Sequence, residues 1–231
     1  MLRFTLLLAA VLLVAAPVRA QVVEPVTLPP PEPNSLDDRL FHAVYDEQNP
    51  IFEATMRGVN GASVPVFLAA VPVHGLTMLA TGESGAPTGR LFLSQAGAIG
   101  GTFLIKTLVQ RARPFVAHAD VETRQRRAPG GIDPFSFPSG HAATSFALAT
   151  SFSLSYPEWY VIVPALTWSS LTALARVWHG MHYPSDIVIG SALGASMTML
   201  VHVLFADGDE TGAEIDPGQV QPAFTLRIPI Q

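Results

Sequence analysis

PSGHAATSFALATSFSLS, the stretch from Pro138 to Ser155, opens on serine, glycine and histidine and continues without Asp, Glu, Lys or Arg. Serine immediately before an apolar run is a common helix cap. The run shows no period-two alternation, so it does not read as a half-buried strand. Its apolar residues go most of the way round a helix, which marks a segment surrounded by protein or by lipid.

Working outward, four more apolar stretches share this pattern: 62–81, 91–110, 159–178 and 187–206, with the central one running over about 142–156. Gly82-Glu83-Ser84-Gly85-Ala86-Pro87 separates the first two, and Tyr156-Pro157-Glu158 the third and fourth. The expected fold is all-α, a bundle of about five long apolar helices. Gly97, Gly100, Gly101, Gly190 and Gly194 suit close helix approach, as small residues do in membrane bundles. Before the bundle, Ser35 caps a short amphipathic helix with Leu36, Leu40 and Val44 on one face. Pro50 starts a second short segment ending near Gly58. These N-terminal helices either lie on a membrane surface or cap the bundle.

The totals agree with a membrane protein. Of 231 residues, 49% are hydrophobic and only 13% are Asp, Glu, Lys or Arg. That charged share is about half the roughly 25% of a soluble domain. A net charge of −5 argues against a nucleic-acid partner. With no cysteine, thiolate chemistry and disulfides are excluded. Residues 1–20 read as an export signal: Arg3, the apolar run Leu6 to Ala16, and the small-residue site Val18-Arg19-Ala20. Residues 21–34 are a proline-rich linker, 35–206 the helical domain, and 207–231 a tail.

Charged residues are scarce enough that their placement is informative. Lys106 is the sole lysine and stands seven residues before Arg113-Pro114. On a continuous helix that spacing puts both cations on one face. A lysine inside an apolar helix is costly unless compensated, although near a helix end it can snorkel to the interface. Ser139 and Gly140 open a helix whose free N–H groups and positive dipole suit an anion, with His141 beside them. Arg176, His182 and Asp186 follow at spacings of six and four. An arginine fork matches phosphate oxygens. Asp186 is placed to accept from one imidazole nitrogen of His182, leaving the other as a nucleophile.

Together, Lys106-x6-Arg113-Pro114, Pro138-Ser139-Gly140-His141 and Arg176-x5-His182-x3-Asp186 resemble the three motifs of the type 2 phosphatidic acid phosphatase and vanadium haloperoxidase superfamily, over roughly residues 90–205. One departure is Ala175, where that family often has serine. The resemblance implies that His182 attacks phosphorus, Asp186 orients it, and His141 protonates the leaving oxygen and then activates water. It further implies that Lys106, Arg113, Ser139, Gly140 and Arg176 hold the phosphate oxygens, with no metal and no cofactor. The implied substrates are phosphorylated lipids such as phosphatidic acid, phosphatidylglycerol phosphate or a polyprenyl diphosphate, or else small phosphate esters.

If the first span enters from outside, all three blocks fall on the external face, so the expected location is an inner membrane with the site facing the periplasm. Arg111, Arg113, Arg124, Arg126 and Arg127 in the outer loop run against the positive-inside tendency. That keeps a soluble exported phosphatase open. Arg124, Arg126 and Arg127 are candidates to attract anionic substrates or headgroups, or are simply solvated. Haloperoxidase chemistry uses the same residues. His179, His182 and Asp186 could imitate a metal ligand set, although Gly180 and Pro184 interrupt any shared helix face. A non-enzymatic membrane scaffold leaves the three blocks unexplained. Trp159 and Trp178, at span ends, fit interfacial anchors.

Overall fold

The computed structural model describes residues 25–125 and 131–205. The expected signal segment, Arg126, Arg127 and the tail from residue 207 lie outside them. The described residues form seven helices and no strand: α1 Leu36–Tyr45, α2 Pro50–Thr81, α3 Ala86–Leu108, α4 Pro114–Ala117, α5 Gly140–Ser155, α6 Trp159–Trp178 and α7 Pro184–Leu204.

α5 is the hub. It touches α3, α6 and α7 along its length and α2 more lightly. It is 16 residues long, short of the roughly 20 that cross a bilayer, and the helices around it shield it. The four long helices α2, α3, α6 and α7 each carry a window apolar enough to span a membrane. Their outward side chains are large and apolar: Leu68, Leu79, Phe103 and Val203 are each at least 70% exposed. Their inward side chains are small. Ala98, Ala143 and Ala147 form one core cluster, and Ser169 Oγ donates to the Ser145 carbonyl at 2.8 Å. In lipid, where apolar burial between helices gains little, close van der Waals packing and interhelical hydrogen bonds take over. This inside-out distribution is that of an integral membrane protein.

Glycine decides how near α7 can come to α5. A Cβ at Gly190 would lie 2.5 Å from the Ser139 carbonyl oxygen, and one at Gly194 2.0 Å from that of Ala143. The other glycines expected at interfaces matter less. Gly97 and Gly101 face Met197 and Leu193 at ordinary contact distance, and Gly100 faces nothing within 4 Å.

The two short N-terminal segments expected from the sequence are in fact a short helix and part of a long one. α2 runs unbroken for 32 residues through Gly58, Gly61, Pro65 and Pro72. Asn49 caps it, its Oδ1 accepting from the amides of Ile51 and Phe52. In an apolar setting the backbone has no alternative hydrogen-bond partners, so helix persists across residues that would break it in water. α1 caps the bundle instead of lying apart from it. Ser35 is its N-cap, accepting from the Asp38 amide, and Phe41 and Tyr45 are buried against α6, α7 and the loop after α4. The proline-rich linker is also partly ordered: Val26 pairs with the chain at Leu108 and Gln110 through two backbone hydrogen bonds.

Candidate active site

The sequence blocks meet at one end of the bundle, where α3 and α6 finish and α5 and α7 begin. Lys106 is on the last turn of α3, and Arg113 caps α4 in extended conformation. The two do not share a helix face. α3 stops at Leu108, Val109 pairs with Val26, and Pro114 holds Arg113 out of helical geometry. A carboxylate joins them instead: Asp133 Oδ2 accepts from Lys106 Nζ at 2.8 Å and from Arg113 Nη2 at 3.3 Å. Residues 111–113 pair with 134–136, through Arg113 N to Pro134 O and Ser136 N to Arg111 O, which brings Asp133 into reach. Burial raises the Asp133 carboxyl, but hydrogen bonds from Lys106 and the Phe135 amide and the charges of Lys106 and Arg113 outweigh it and hold it below its usual value.

His182 is buried in the turn between α6 and α7. Arg113 Nη1 donates to its Nε2 at 3.1 Å. Arginine is a donor only, so Nε2 carries the lone pair and the ring proton sits on Nδ1. Burial first, then the charges of Arg113, Arg176 and Lys106, push the imidazole well below its ordinary pKa. It is therefore a neutral base whose Nε2 lone pair is engaged by Arg113.

Asp186 departs from expectation. Its Oδ2 stands 3.7 Å from His182 Nδ1, beyond hydrogen-bond reach, while the Ser136 backbone lies close enough to the ring to favour its protonated form. Oδ2 instead accepts the Tyr183 amide at 2.8 Å, closing the N-terminal turn of α7. Oδ1 accepts from Arg111 Nη1 at 2.8 Å. Arg111 also reaches Ser185 Oγ at 2.7 Å and Asp37 Oδ2 at 2.9 Å, and stacks over Tyr183 with its guanidinium carbon 4.3 Å from the ring centre. Asp37 in turn accepts from the Ser185 amide and hydroxyl. The Arg111–Asp37–Ser185–Asp186 network, invisible in the motif spacing, locks the start of α7. Arg111→Met would strand the fully buried Asp186 carboxylate without its cation and is expected to destabilise the protein by about 3 kcal/mol. Thermal unfolding in detergent reads this as a lowered midpoint; an unchanged midpoint would mean that the pair contributes nothing.

Arg176 is buried, with Nη1 donating to Asn60 Oδ1 and Nη2 to Gln125 Oε1 at 2.7 Å, while its Nε has no partner. Asn60 on α2 and Gln125 had no motif to announce them. Ser139 is fully buried as the N-cap of α5; its hydroxyl accepts from the Ala142 amide and its own amide donates to the Asp186 carbonyl. Ser139 is thus a structural cap. Gly140 and His141 line a cavity of about 350 Å³ with Lys106, Asp133, Thr102, Thr144 and the apolar Phe67, Ile99 and Phe103. Thr102, one turn before Lys106, has a buried hydroxyl without a partner.

Other expected roles change. Arg124 is not a loose loop charge: it donates to the Trp178 carbonyl and stacks on Tyr45 and Trp178. Trp178 is 2% exposed and donates to the Glu47 carbonyl, so it is no interfacial anchor, whereas Trp159 is 75% exposed. His179 does not converge with His182 and Asp186. Its Nδ1 bonds the Ala175 carbonyl at 2.7 Å, and burial, only partly offset by that bond, lowers it to about 4. Among the described residues no three His, Asp or Glu side chains form a ligand cluster.

A helical membrane bundle that gathers cations around a buried imidazole defines the class. The sequence profile of the PAP2 superfamily matches residues 87–209, and the chain belongs to that superfamily. It is 37% identical over 105 residues to a lipid A 1-phosphatase of Rhizobium johnstonii, covering 45% of this chain and 41% of the relative. It is 32% identical over 152 residues to the undecaprenyl-diphosphatase BcrC of Bacillus subtilis, covering 63% of this chain and 75% of the relative. The chain thus spans less than half the length of the lipid A phosphatase. Among solved structures, it is similar to LpxE of Aquifex aeolicus, with TM-score 0.61 and 20% identity over 74% of this chain and 96% of that one. A transmembrane PAP2-type phosphatidylglycerolphosphate phosphatase from Bacillus subtilis gives TM-score 0.64 and 19% identity over 76% of this chain and 87% of that one.

Proposed function

We propose that this chain is a metal-independent phosphatase of lipid phosphate monoesters or diphosphates that works through a phosphohistidine on His182. The observation that carries the reading is the buried, neutral His182 ring with Nε2 directed at Arg113 and under the fields of Arg176 and Lys106. Phosphoryl transfer needs positioning and charge stabilisation more than covalent assistance, and fixed cations provide both.

As substrate enters, Arg113 Nη1 exchanges Nε2 for a phosphate oxygen; the freed Nε2 lone pair attacks phosphorus in line, the bond from phosphorus to the leaving oxygen breaks, and His141 gives that oxygen its proton. Water then attacks the phosphohistidine, His141 takes the water's proton, and the P–N bond breaks to free phosphate and His182. Positive charge developing on His182 during attack faces the Asp186 carboxylate 3.7 Å from Nδ1. Lys106, Arg113, Arg176 and the Gly140 amide hold the equatorial oxygens.

The relatives' names and the apolar wall of Phe67, Ile99 and Phe103 beside Lys106 and His141 support a lipid leaving group. The site is placed on the periplasmic face of the inner membrane, and the objection that the loop arginines raise to this placement is weakened by their pairing. Arg111, Arg113 and Arg124 are tied to protein partners and do not act as free positive charge.

Purified protein in detergent, with EDTA present, is expected to release inorganic phosphate from at least one of phosphatidic acid, phosphatidylglycerol phosphate, undecaprenyl diphosphate and a lipid A 1-phosphate. Folded protein that releases none from any phosphate ester would end this reading, and activity that EDTA abolishes and zinc restores would end its metal independence.

A further inference from the structure

The cation pair expected to hold phosphate already has an anion of the protein's own. Asp133 Oδ2 sits on Lys106 Nζ and Arg113 Nη2, its Oδ1 accepts from the Phe135 amide at 3.0 Å, and its backbone carbonyl accepts from Arg113 Nε. The cations it joins are those expected to hold phosphate. Their side chains are largely enclosed, 17% exposed for Lys106 and 6% for Arg113, whereas the Asp133 side chain is 44% exposed. The carboxylate thus stands at the mouth of the cavity with solvent to turn into, while the cations stay in place. Arg176, by contrast, is held by two neutral amides and keeps an unpartnered Nε.

We propose that Asp133 is a built-in competitor for the phosphate subsite: its carboxylate occupies the Lys106–Arg113 pair until a phosphoryl group displaces it, and this selects dianionic phosphate from monoanionic diesters. The inference rests on the phosphatase reading. A cation cluster at a membrane surface meets phosphodiester headgroups at high local concentration. Any anion entering the subsite must break the same two contacts. A phosphomonoester or terminal diphosphate has close to two charges and three free oxygens near neutral pH, whereas a diester has one charge and two oxygens. Coulomb attraction scales with the charge, so the dianion keeps net affinity where the monoanion does not. A carboxylate that merely organised the cations would act in the opposite direction, and its loss would weaken phosphate binding.

The test uses Asp133→Asn and Asp133→Ser in the full-length protein at pH 8, where inorganic phosphate is a dianion and diethyl phosphate a monoanion. Both are run as inhibitors of lipid phosphate hydrolysis, and phosphate is also read without turnover, as the rise in unfolding temperature that it produces. Freed of a half-exposed charge-assisted contact, the variants are expected to bind phosphate about tenfold more tightly. They should show a larger thermal shift, and be inhibited by diethyl phosphate at concentrations that leave the native protein untouched. An unchanged or weaker inhibition by phosphate, or a smaller thermal shift, in whichever variant folds would overturn the proposal. A native protein that turns over lipid phosphate while the variants bind phosphate no better sinks this inference alone. A native protein that turns over nothing sinks the phosphatase reading, while the thermal shift still decides the role of Asp133.

Discussion

His182→Ala is expected to remove phosphate release from every lipid phosphate that the native protein hydrolyses, lowering kcat by about four orders of magnitude or more. The substitution deletes the atom that would form the covalent bond but leaves the cations. Arg113 keeps its bonds to Asp133 and to the Met181 carbonyl at 2.9 Å, and Arg176 keeps Asn60 and Gln125. Phosphate binding, read by thermal shift, should therefore survive while turnover does not. A variant that retained native kcat would show that His182 is not the nucleophile. Rapid quench of the native protein with labelled substrate should trap acid-labile, base-stable phosphate on the chain, and the variant should trap none.

The second large effect is one of stability. Gly194→Ala would place a methyl 2.0 Å from the Ala143 carbonyl oxygen, 2.8 Å from its carbonyl carbon and 2.9 Å from the Ala147 amide nitrogen. All three atoms are backbone, so no rotamer change relieves the clash. α7 must move off α5, at an expected loss of about 3 kcal/mol. The same movement separates Asp186 at the start of α7 from His141 at the start of α5, so activity should fall with stability. Gly100→Ala is the matching control. A Cβ there meets nothing within 4 Å, and replacing an exposed helical glycine contributes up to about 1 kcal/mol toward stability. Equal unfolding midpoints for the two variants would remove close α5–α7 packing as the reason for Gly194.

Composition and periodicity carried the fold class, because a chain with few charges and no alternation has few other solutions. Motif spacing likewise marked Lys106, Arg113, Ser139, Gly140, His141, Arg176, His182 and Asp186, since few chemistries use cations and imidazoles so sparsely placed. Ser35 was legible as a cap because capping is a local hydrogen bond. The continuity of α2 was not legible, since glycine and proline are breakers only where water can take the freed backbone groups.

The residue types that can hold a phosphoryl group, and the apolar runs that carry them, are thus properties of the chain read in order. Which of those residues touch is not. Arg111 looked like one loop arginine among five, yet it neutralises Asp186 across 75 positions. Asp133, Asn60 and Gln125 had no motif, yet they bond Lys106, Arg113 and Arg176. The two levels divide for a physical reason. Capping, periodicity and hydropathy act between neighbours in sequence. The partner of a buried charge is whichever opposite or polar group the packing of distant helices leaves within about 3 Å of it.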